Sequence, residues 1–304
     1  MGLFEGVVAV VPTPLNEDET IDSEGIERMI NFLVSHNVGL FALGSVGEEM
    51  NLTFEMRVMA ARKMAEVNNG RVPLLVGGGT FGVQDTLDYF KEIEDCKIDG
   101  VHIIPYDKKQ SNEAVERLFL AVADRSPFPL WLYNNSTRGH SISLDIAKRL
   151  KKHINIVGAK SGGFDHRENL GFALLQDDGF EVIGAGDSQY FLMMCLGTKA
   201  NTTSSASCFP EIINELDQKI ASDSIQEARK KNLEVIRFMK RIPKTAYKDN
   251  GESSAELKYI LSLRGICKEF CARPFRGLRD DEKLKIREVF EDYLKYLETG
   301  EIRV

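Results

Sequence analysis

The segment Ile154-Asn155-Ile156-Val157-Gly158-Ala159-Lys160 predicts a buried strand that ends in a lysine, and Ser161-Gly162-Gly163 follow it. Its small and β-branched residues, bounded by glycines, are typical of such a strand. Burial disfavours the charged form of a lysine, so the pKa of the side chain falls and a neutral amine becomes available. A neutral amine attacks a ketone and forms a Schiff base. The alternative is a lysine whose ammonium group extends from the strand end to water.

Seven further strand segments occur along the chain, and helix-forming segments lie between them. The predicted strands are 6–11, 40–43, 73–77, 100–104, 129–133, 154–160, 180–184 and 200–204. The predicted helices are 23–36, 53–68, 84–96, 112–123, 143–152, 166–175, 188–196 and 210–221. Strands that alternate with single helices imply right-handed βαβ units and a parallel sheet. Eight such units in about 220 residues are the number found in a (β/α)8 barrel.

The main competing architecture is a doubly wound open sheet. That fold usually has a glycine-rich phosphate loop after its first strand, whereas this chain has Pro12-Thr13-Pro14-Leu15 there. We therefore predict a (β/α)8 barrel catalytic domain over residues 1–222. Residues 223–304 are predicted to form a C-terminal extension of three helices, 225–241, 254–263 and 280–297.

Composition excludes several classes of protein. The formal net charge of −7 over 304 residues argues against a nucleic-acid binder and against attraction to an anionic membrane. No apolar run is long enough to span a bilayer, and the N-terminus does not resemble a signal peptide. The five cysteines form no Cys-x-x-Cys pair, which suits reduced thiols and a cytoplasmic protein.

Three reactive side chains lie where the strands of a barrel end. Lys160 ends the sixth predicted strand, Tyr133 ends the fifth, and Ser45 follows the second. Active sites of such barrels lie at the C-terminal ends of the strands, so these side chains should share one cavity. A Schiff-base lysine needs a proton shuttle, which a tyrosine hydroxyl linked to a serine hydroxyl provides. The alternative for Tyr133 is an aromatic cap whose hydroxyl lies in water.

The histidines show no spacing typical of metal ligands. A Schiff-base lysine needs no metal or organic cofactor, so none is expected. A metal-dependent barrel hydrolase would carry His-x-His on its first strand, and residues 7–11 contain no histidine.

Four motifs together resemble the dihydrodipicolinate synthase / N-acetylneuraminate lyase family. They are Pro12-Thr13-Pro14, Gly44-Ser45-Val46-Gly47-Glu48, Tyr133-Asn134 and Val157-Gly158-Ala159-Lys160, in the family's order and spacing. The resemblance covers essentially the whole chain. It implies a (β/α)8 barrel that assembles as a homotetramer or homodimer and acts on a small-molecule 2-keto acid. It also implies that Lys160 forms the Schiff base, that Tyr133 moves protons, and that Ser45, with the backbone amides of Ser45 and Val46, holds the keto-acid carboxylate.

Two departures from the synthase branch of that family concern proton transfer. The branch has two adjacent threonines where this chain has Ser45 and Val46. It also has a relay tyrosine two residues after a proline at the end of strand four, where this chain has Pro105-Tyr106-Asp107. We expect the relay to be broken, or rebuilt with the Asp107 carboxylate. The alternative for Asp107 is a solvated loop charge.

Other residues concern the substrate. Arg138 occupies the position of an arginine that grips the second substrate's carboxylate in the synthase branch, and the alternative is a surface arginine. Thr202 and Ser204 in strand eight, with Asp187 after strand seven, would suit a polyhydroxylated substrate. The segment Ser204-Ser205-Ala206 followed by Phe209-Pro210 is similar to keto-deoxyglucarate dehydratases of the same family. The alternative is a Thr/Ser-rich strand that hydrogen-bonds its own backbone.

These observations predict a Schiff-base-forming lyase, aldolase or dehydratase that acts on pyruvate or a 2-keto-3-deoxy sugar acid. One alternative is a 4-hydroxy-tetrahydrodipicolinate synthase, which condenses pyruvate with aspartate semialdehyde in lysine biosynthesis. The other is a family member that binds a keto acid without turnover.

Overall fold

The computed structural model describes residues 2–78, 82–162, 165–222 and 224–303. Gly163 of the lysine segment and Asp223 at the predicted domain boundary lie outside these ranges. Eight strands are present: β1 Gly6–Val10, β2 Gly39–Ala42, β3 Leu74–Gly77, β4 Gly100–Ile103, β5 Leu130–Asn134, β6 Ile156–Ser161, β7 Glu181–Ala185 and β8 Ala200–Thr203. Each predicted strand is confirmed. The largest shift is at β6, which begins at Ile156 because Ile154 is 95% exposed in the preceding turn.

The strands form a closed parallel barrel. Each strand pairs with the next one in the sequence, and β8 pairs with β1. The predicted (β/α)8 fold is therefore confirmed. Tyr133 of β5 lies in register with Lys160 of β6. The two side chains thus leave neighbouring strands at the same height, near the rim that the C-terminal ends of all eight strands share.

Helices follow the strands on the outside of the barrel. They are α1 Ser23–Ser35, α2 Phe54–Asn68, α3 Val83–Glu92, α4 Asn112–Ala123, α5 Leu144–Leu150, α6 His166–Ala173, α7 Tyr190–Cys195 and α8 Pro210–Ala221. Five of them start at a residue whose side chain accepts a hydrogen bond from the first turn, namely Asp22, Thr53, Ser111, Ser143 and Asp165. Such caps satisfy backbone N–H groups that the helix leaves unpaired.

The helix predicted over 188–196 begins later than expected. A short 3-10 turn at Asp187–Gln189 precedes α7. The Asp187 carboxylate accepts hydrogen bonds from Thr203 and Ser205, which hold this turn toward β8. The α-helix therefore starts only at Tyr190.

The C-terminal extension contains α9 Ile225–Lys240, α10 Thr245–Asn250, α11 Ser254–Leu263 and α12 Asp280–Thr299. The three predicted helices are confirmed. The short helix α10 was not predicted, because six residues are too few to show an amphipathic period. The division of the chain after residue 222 stays a prediction.

Aromatic rings join the extension to the barrel. The Phe209 ring centre, at the start of α8, lies 5.2 Å from that of Phe238 in α9 and 4.6 Å from that of Tyr293 in α12. Helix α11 is buried over its first eight residues, 254–261, so it lies between the barrel and other parts of the extension. None of the described helices is both long and apolar enough to cross a membrane.

Candidate active site

Lys160 is buried at the C-terminal end of β6. Its side chain nitrogen lies 3.9 Å from the ring centre of Phe41 and 4.3 Å from that of Tyr133, and the residue is 4% exposed. Burial lowers the pKa of Lys160 to about 7, against the opposing effect of the negative charges of Glu252 and Glu49. A substantial fraction of this amine is therefore neutral near neutral pH, as a nucleophile requires.

Tyr133 and Ser45 form a hydroxyl pair beside the lysine. The Tyr133 Oη and Ser45 Oγ atoms are 3.2 Å apart, and both residues are buried. The Asn135 side chain donates a hydrogen bond of 3.2 Å to Tyr133 Oη, so the hydroxyl proton of Tyr133 is free to point to Ser45 or to a ligand. Burial raises the pKa of Tyr133 to about 12, so the hydroxyl keeps its proton at rest.

An aromatic layer lies beneath the lysine. The His102 ring stacks on the Phe41 ring with 3.8 Å between their centres, and His102 Nε2 lies 3.0 Å from the carbonyl oxygen of Ala42. Burial lowers the pKa of His102 to about 3, so this imidazole is neutral. The buried, uncharged rings of Phe41 and His102 thus separate Lys160 from solvent on this side.

The loop that carries Ser45 and Val46 is fixed from two sides. The Thr13 hydroxyl donates to the carbonyl oxygen of Gly47 at 2.7 Å, and the Ser254 hydroxyl in α11 donates to that of Val46 at 2.9 Å. A Cβ atom at Gly47 would lie 2.9 Å from Leu43 Cα, so only glycine fits this turn. The loop is thus anchored both to the segment after β1 and to the extension.

Arg138 contacts the extension. It donates hydrogen bonds to the carbonyl oxygen of Gly251 at 2.5 Å and to the Glu252 carboxylate at 3.1 Å. The Glu252 charge raises the pKa values of Lys160 and Tyr133, so its carboxylate lies near the reactive groups. The guanidinium group that was predicted to bind a substrate carboxylate already has a carboxylate partner.

Asp187 and Ser204 line a cavity of about 230 Å³ between the barrel rim and the extension. Lys244, Tyr247 and Glu252 contribute to the same walls. Burial raises the pKa of Asp187. Thr202 does not line this cavity, because its hydroxyl donates to the carbonyl oxygen of Gly184 in β7 at 3.0 Å. Thr202 therefore fits the alternative of a Thr/Ser-rich strand whose side chains hydrogen-bond to the backbone of the sheet.

Asp107 lies outside the group of reactive residues. It is exposed, and its carboxylate accepts a hydrogen bond from the backbone of Lys109 at 2.9 Å, which closes a surface turn. The preceding residue, Tyr106, is the one whose hydroxyl turns inward, where it donates to the Glu49 carboxylate. The position of Asp107 therefore matches the alternative of a solvated loop charge.

Several residues of the site were not predicted. They are Phe41, Glu49, His102, Asn135 and Glu252. Phe41 and His102 are the second-to-last residues of β2 and β4, so the rule that placed Tyr133 and Lys160 near strand ends could have found them. Glu49 begins a short 3-10 helix and Glu252 lies in a bend before α11, and neither segment carries a comparable sequence signal.

Comparisons with known proteins find relatives that match almost the whole chain. A sequence model of the dihydrodipicolinate synthetase family matches residues 3–293. A 4-hydroxy-tetrahydrodipicolinate synthase of Methanosphaerula palustris is 28% identical over 96% of this chain and 100% of its own length. A DapA-like lyase of Pyrococcus furiosus is 29% identical over 95% of this chain and 97% of its own length. The wild-type sialic acid aldolase of Ruminococcus gnavus is similar in fold, with a TM-score of 0.90 at 18% identity over 98% of this chain and 99% of that chain.

Proposed function

The chain belongs to the dihydrodipicolinate synthetase family, and from this premise we propose that Lys160 forms a Schiff base with pyruvate or a 2-keto-3-deoxy acid. Membership makes it a pyruvate-dependent lyase or aldolase of the Schiff-base-forming class. The observation that carries the role of Lys160 is its burial between the rings of Phe41 and Tyr133, where its pKa falls to about 7.

The reaction begins when the neutral amine of Lys160 attacks the ketone carbon. Tyr133 donates a proton to the carbinolamine oxygen, which leaves as water, and the resulting protonated imine withdraws electrons from the neighbouring bonds. Ser45 then passes a proton to Tyr133 along their shared hydrogen bond and takes a replacement proton from water, so both hydroxyls are restored. Positioned proton transfer of this kind contributes about 10²- to 10⁴-fold to a rate.

The carboxylate of the keto acid binds at the loop after β2. The backbone amides of Ser45 and Val46 donate hydrogen bonds to this carboxylate. Thr13 and Ser254 hold the loop that carries these amides in place. A rigid loop does not lose conformational entropy when the ligand binds, which favours affinity.

The distal part of the substrate is a hydroxylated chain, as in a sugar acid. This assignment is supported by the positions of Asp187 and Ser204, which line the cavity of about 230 Å³ at the rim. The Asp187 carboxylate has further lone pairs beyond its bonds to Thr203 and Ser205, and with the Ser204 hydroxyl it can form hydrogen bonds to sugar hydroxyls.

The synthase alternative requires that Arg138 hold the carboxylate of aspartate semialdehyde. Glu252 argues against this, because its carboxylate lies 3.1 Å from the guanidinium group and would repel a second anion. The condensation of pyruvate with aspartate semialdehyde is the direct test of that alternative. We further propose that the enzyme works in the cytoplasm, which its five free cysteines support. Its assembly as a homotetramer or homodimer is proposed from the family resemblance alone.

The first experiment is reduction of the enzyme with borohydride in the presence of pyruvate, followed by peptide mass spectrometry. A reduced pyruvyl adduct on Lys160 is expected. Lys258, which is also fully buried but forms an ion pair, serves as the internal control and should stay unmodified. An adduct on another lysine, or no adduct with pyruvate and larger keto acids, would contradict the proposal. If the adduct forms, a panel of 2-keto-3-deoxy sugar acids then identifies the substrate.

A further inference from the structure

Two adjacent glutamates in the loop after β2 are both buried but have different partners. The carboxylate of Glu48 lies 3.0 Å from Lys258 and accepts a hydrogen bond from the backbone of Ala272 at 2.8 Å. Glu49, which is 2% exposed, accepts a hydrogen bond from the Tyr106 hydroxyl and forms no ion pair with a lysine, arginine or histidine of the described residues. Two carboxylates with such different surroundings have different tasks.

Glu49 is positioned at the rim of the barrel, on the side of the reactive groups. A Cβ atom at Gly77, the last residue of β3, would lie 2.7 Å from Glu49 Oε2 and 1.7 Å from the carbonyl oxygen of Leu43. Glycine at this position therefore leaves the space that the Glu49 carboxylate occupies. Tyr106 follows β4, which pairs with the strand that carries Tyr133. Around the rim, Glu49, Tyr106, Tyr133 and Lys160 thus follow one another.

A purely structural role does not explain a buried carboxyl group that has no ion-pair partner among the described residues. Its desolvation costs free energy, and an apolar residue would avoid that cost. Burial raises the pKa of Glu49 to about 8, with opposing effects from the Tyr106 hydrogen bond and the positive charges of Arg57 and Lys160. The charged or titratable groups that interact with it are Arg57, Tyr89, Tyr106, Tyr133 and Lys160. At neutral pH Glu49 can therefore both bind and release a proton.

We propose that Tyr106 and Glu49 form a proton relay within one chain, which removes the proton from the hydroxyl group on the substrate carbon that is released. The inference rests on the proposed function. When the bond between carbons 3 and 4 of the imine breaks, its electron pair moves into the imine and gives an enamine. The substrate hydroxyl becomes an aldehyde, and its proton passes to Tyr106 Oη as the Tyr106 proton passes to Glu49. Carbon 3 of the enamine then takes a proton from Tyr133, Glu49 releases its proton to water, and Tyr133 regains one from water.

This division of labour separates two half-reactions. Tyr133 and Ser45 serve the imine, so trapping of pyruvate on Lys160 needs no relay. Tyr106, as the catalytic residue, contacts the substrate hydroxyl, and Glu49 acts only through Tyr106. The relay is therefore required for carbon–carbon bond cleavage and addition alone.

The experiment compares wild type with Glu49→Gln, Glu49→Asp and Tyr106→Phe. Each enzyme is assayed for borohydride trapping of pyruvate and for turnover of the keto acid that wild type cleaves fastest, over pH 5 to 10. Glu116→Gln, which removes a surface carboxylate paired with Arg149 at 2.7 Å, is the control and should match wild type.

We expect Glu49→Gln and Tyr106→Phe to retain trapping while kcat for cleavage falls by about 10²- to 10⁴-fold. The kcat of wild type should rise with pH through about 8, where Glu49 ionises, and Glu49→Gln should lose this limb. Glu49→Asp, which keeps a carboxylate, should restore part of the rate. Equal losses of trapping and cleavage, or an unchanged pH profile in Glu49→Gln, would overturn the relay. So would a wild-type enzyme that traps pyruvate but cleaves no keto acid, whereas failure of trapping in wild type would overturn the proposed function itself.

Discussion

The Glu48 carboxylate and the Lys258 ammonium group lie 3.0 Å apart, and both side chains are fully buried. Glu48 belongs to the loop that carries Ser45, whereas Lys258 lies in α11 of the extension. Lys258 also donates to the carbonyl oxygen of Phe270 at 2.8 Å, so its charge is well compensated. The pair therefore fixes the extension to the loop that we expect to hold the substrate carboxylate.

Removal of one member of this pair should destabilise the protein strongly. Lys258→Met leaves the Glu48 charge buried without a cation, which should lower the free energy of unfolding by about 3–5 kcal/mol. The double variant Glu48→Gln with Lys258→Met should recover much of this loss, because no unpaired charge remains. Urea denaturation of the three proteins measures the difference. A loss below about 1 kcal/mol in the single variant would mean that the pair is not a buried ion pair in solution.

Lys160→Met should increase stability at neutral pH while it abolishes pyruvate trapping. Burial lowers the pKa of Lys160 from 10.5 to about 7, so between these values the folded state binds fewer protons than the unfolded state. Stability due to this group therefore rises with pH across the window and is lowest at or below pH 7. One pKa unit corresponds to about 1.4 kcal/mol, so the gain on substitution is a few kcal/mol at pH 7.

Urea denaturation of wild type and Lys160→Met at pH 7 and pH 10 tests this linkage. The stability difference should shrink at pH 10, where the unfolded lysine also begins to lose its proton. An equal difference at both pH values would show that Lys160 carries its proton normally in the folded state. Lys295→Met, at a lysine whose side chain is 72% exposed, should show no such dependence.

The rate of pyruvate trapping should follow the neutral fraction of Lys160. It is expected to rise with pH through about 7 and to level off above it, because the neutral amine is the nucleophile. Initial rates of borohydride-dependent inactivation at saturating borohydride measure this profile. A rate that still rises tenfold between pH 8 and pH 9 would indicate a lysine with an ordinary pKa.

The sequence predicted the barrel and its first reactive residues for the same physical reason. A strand in a parallel barrel is buried on both faces, so it appears as a short apolar segment, and its C-terminal end lies at the rim. Lys160 and Tyr133 occupy such positions, which makes their proximity predictable. The partners Glu49 and Glu252 could not be found in this way. Glu49 follows a residue with a left-handed backbone, Glu48 at φ 60°, and Glu252 reaches the rim only because the chain returns after α10.

Tyr106 and Asp107 also show what could not be predicted from the sequence, namely which of two adjacent side chains faces the rim. The spacing of the motif directed attention to Asp107, whereas the turn after β4 directs the Tyr106 side chain inward and leaves Asp107 in solvent. Which of two adjacent side chains faces the rim depends on the backbone of the turn, and short polar loops have no periodicity from which this could be predicted.

Tyr133→Phe should separate the packing role of the ring from the chemical role of its hydroxyl. In wild type the Lys160 nitrogen lies 4.3 Å from the centre of the Tyr133 ring. A phenylalanine ring would cover it equally, so the fold and the pKa of the lysine should change little. Loss of the hydroxyl that bonds to Ser45 should lower the rate of pyruvate trapping by about 10²- to 10⁴-fold. Ser45→Ala in the Tyr133→Phe background should add little, since both substitutions break one relay. Losses that multiply would show that the two hydroxyls act independently.

The pairing of Arg138 with Glu252 should govern which substrates the enzyme accepts. Glu252→Gln removes the negative charge that lies 3.1 Å from the guanidinium group, so Arg138 becomes available to a second carboxylate. We expect kcat/KM for dicarboxylic keto acids, relative to monocarboxylic sugar acids, to rise by about tenfold, which corresponds to about 1.4 kcal/mol. Because the Glu252 charge also raises the pKa of Lys160, the pH profile of pyruvate trapping should shift to lower pH in the same variant. Glu116→Gln should change neither property. A shifted pH profile without a change in substrate preference would place Glu252 near Lys160 but exclude Arg138 from contact with the distal end of the substrate.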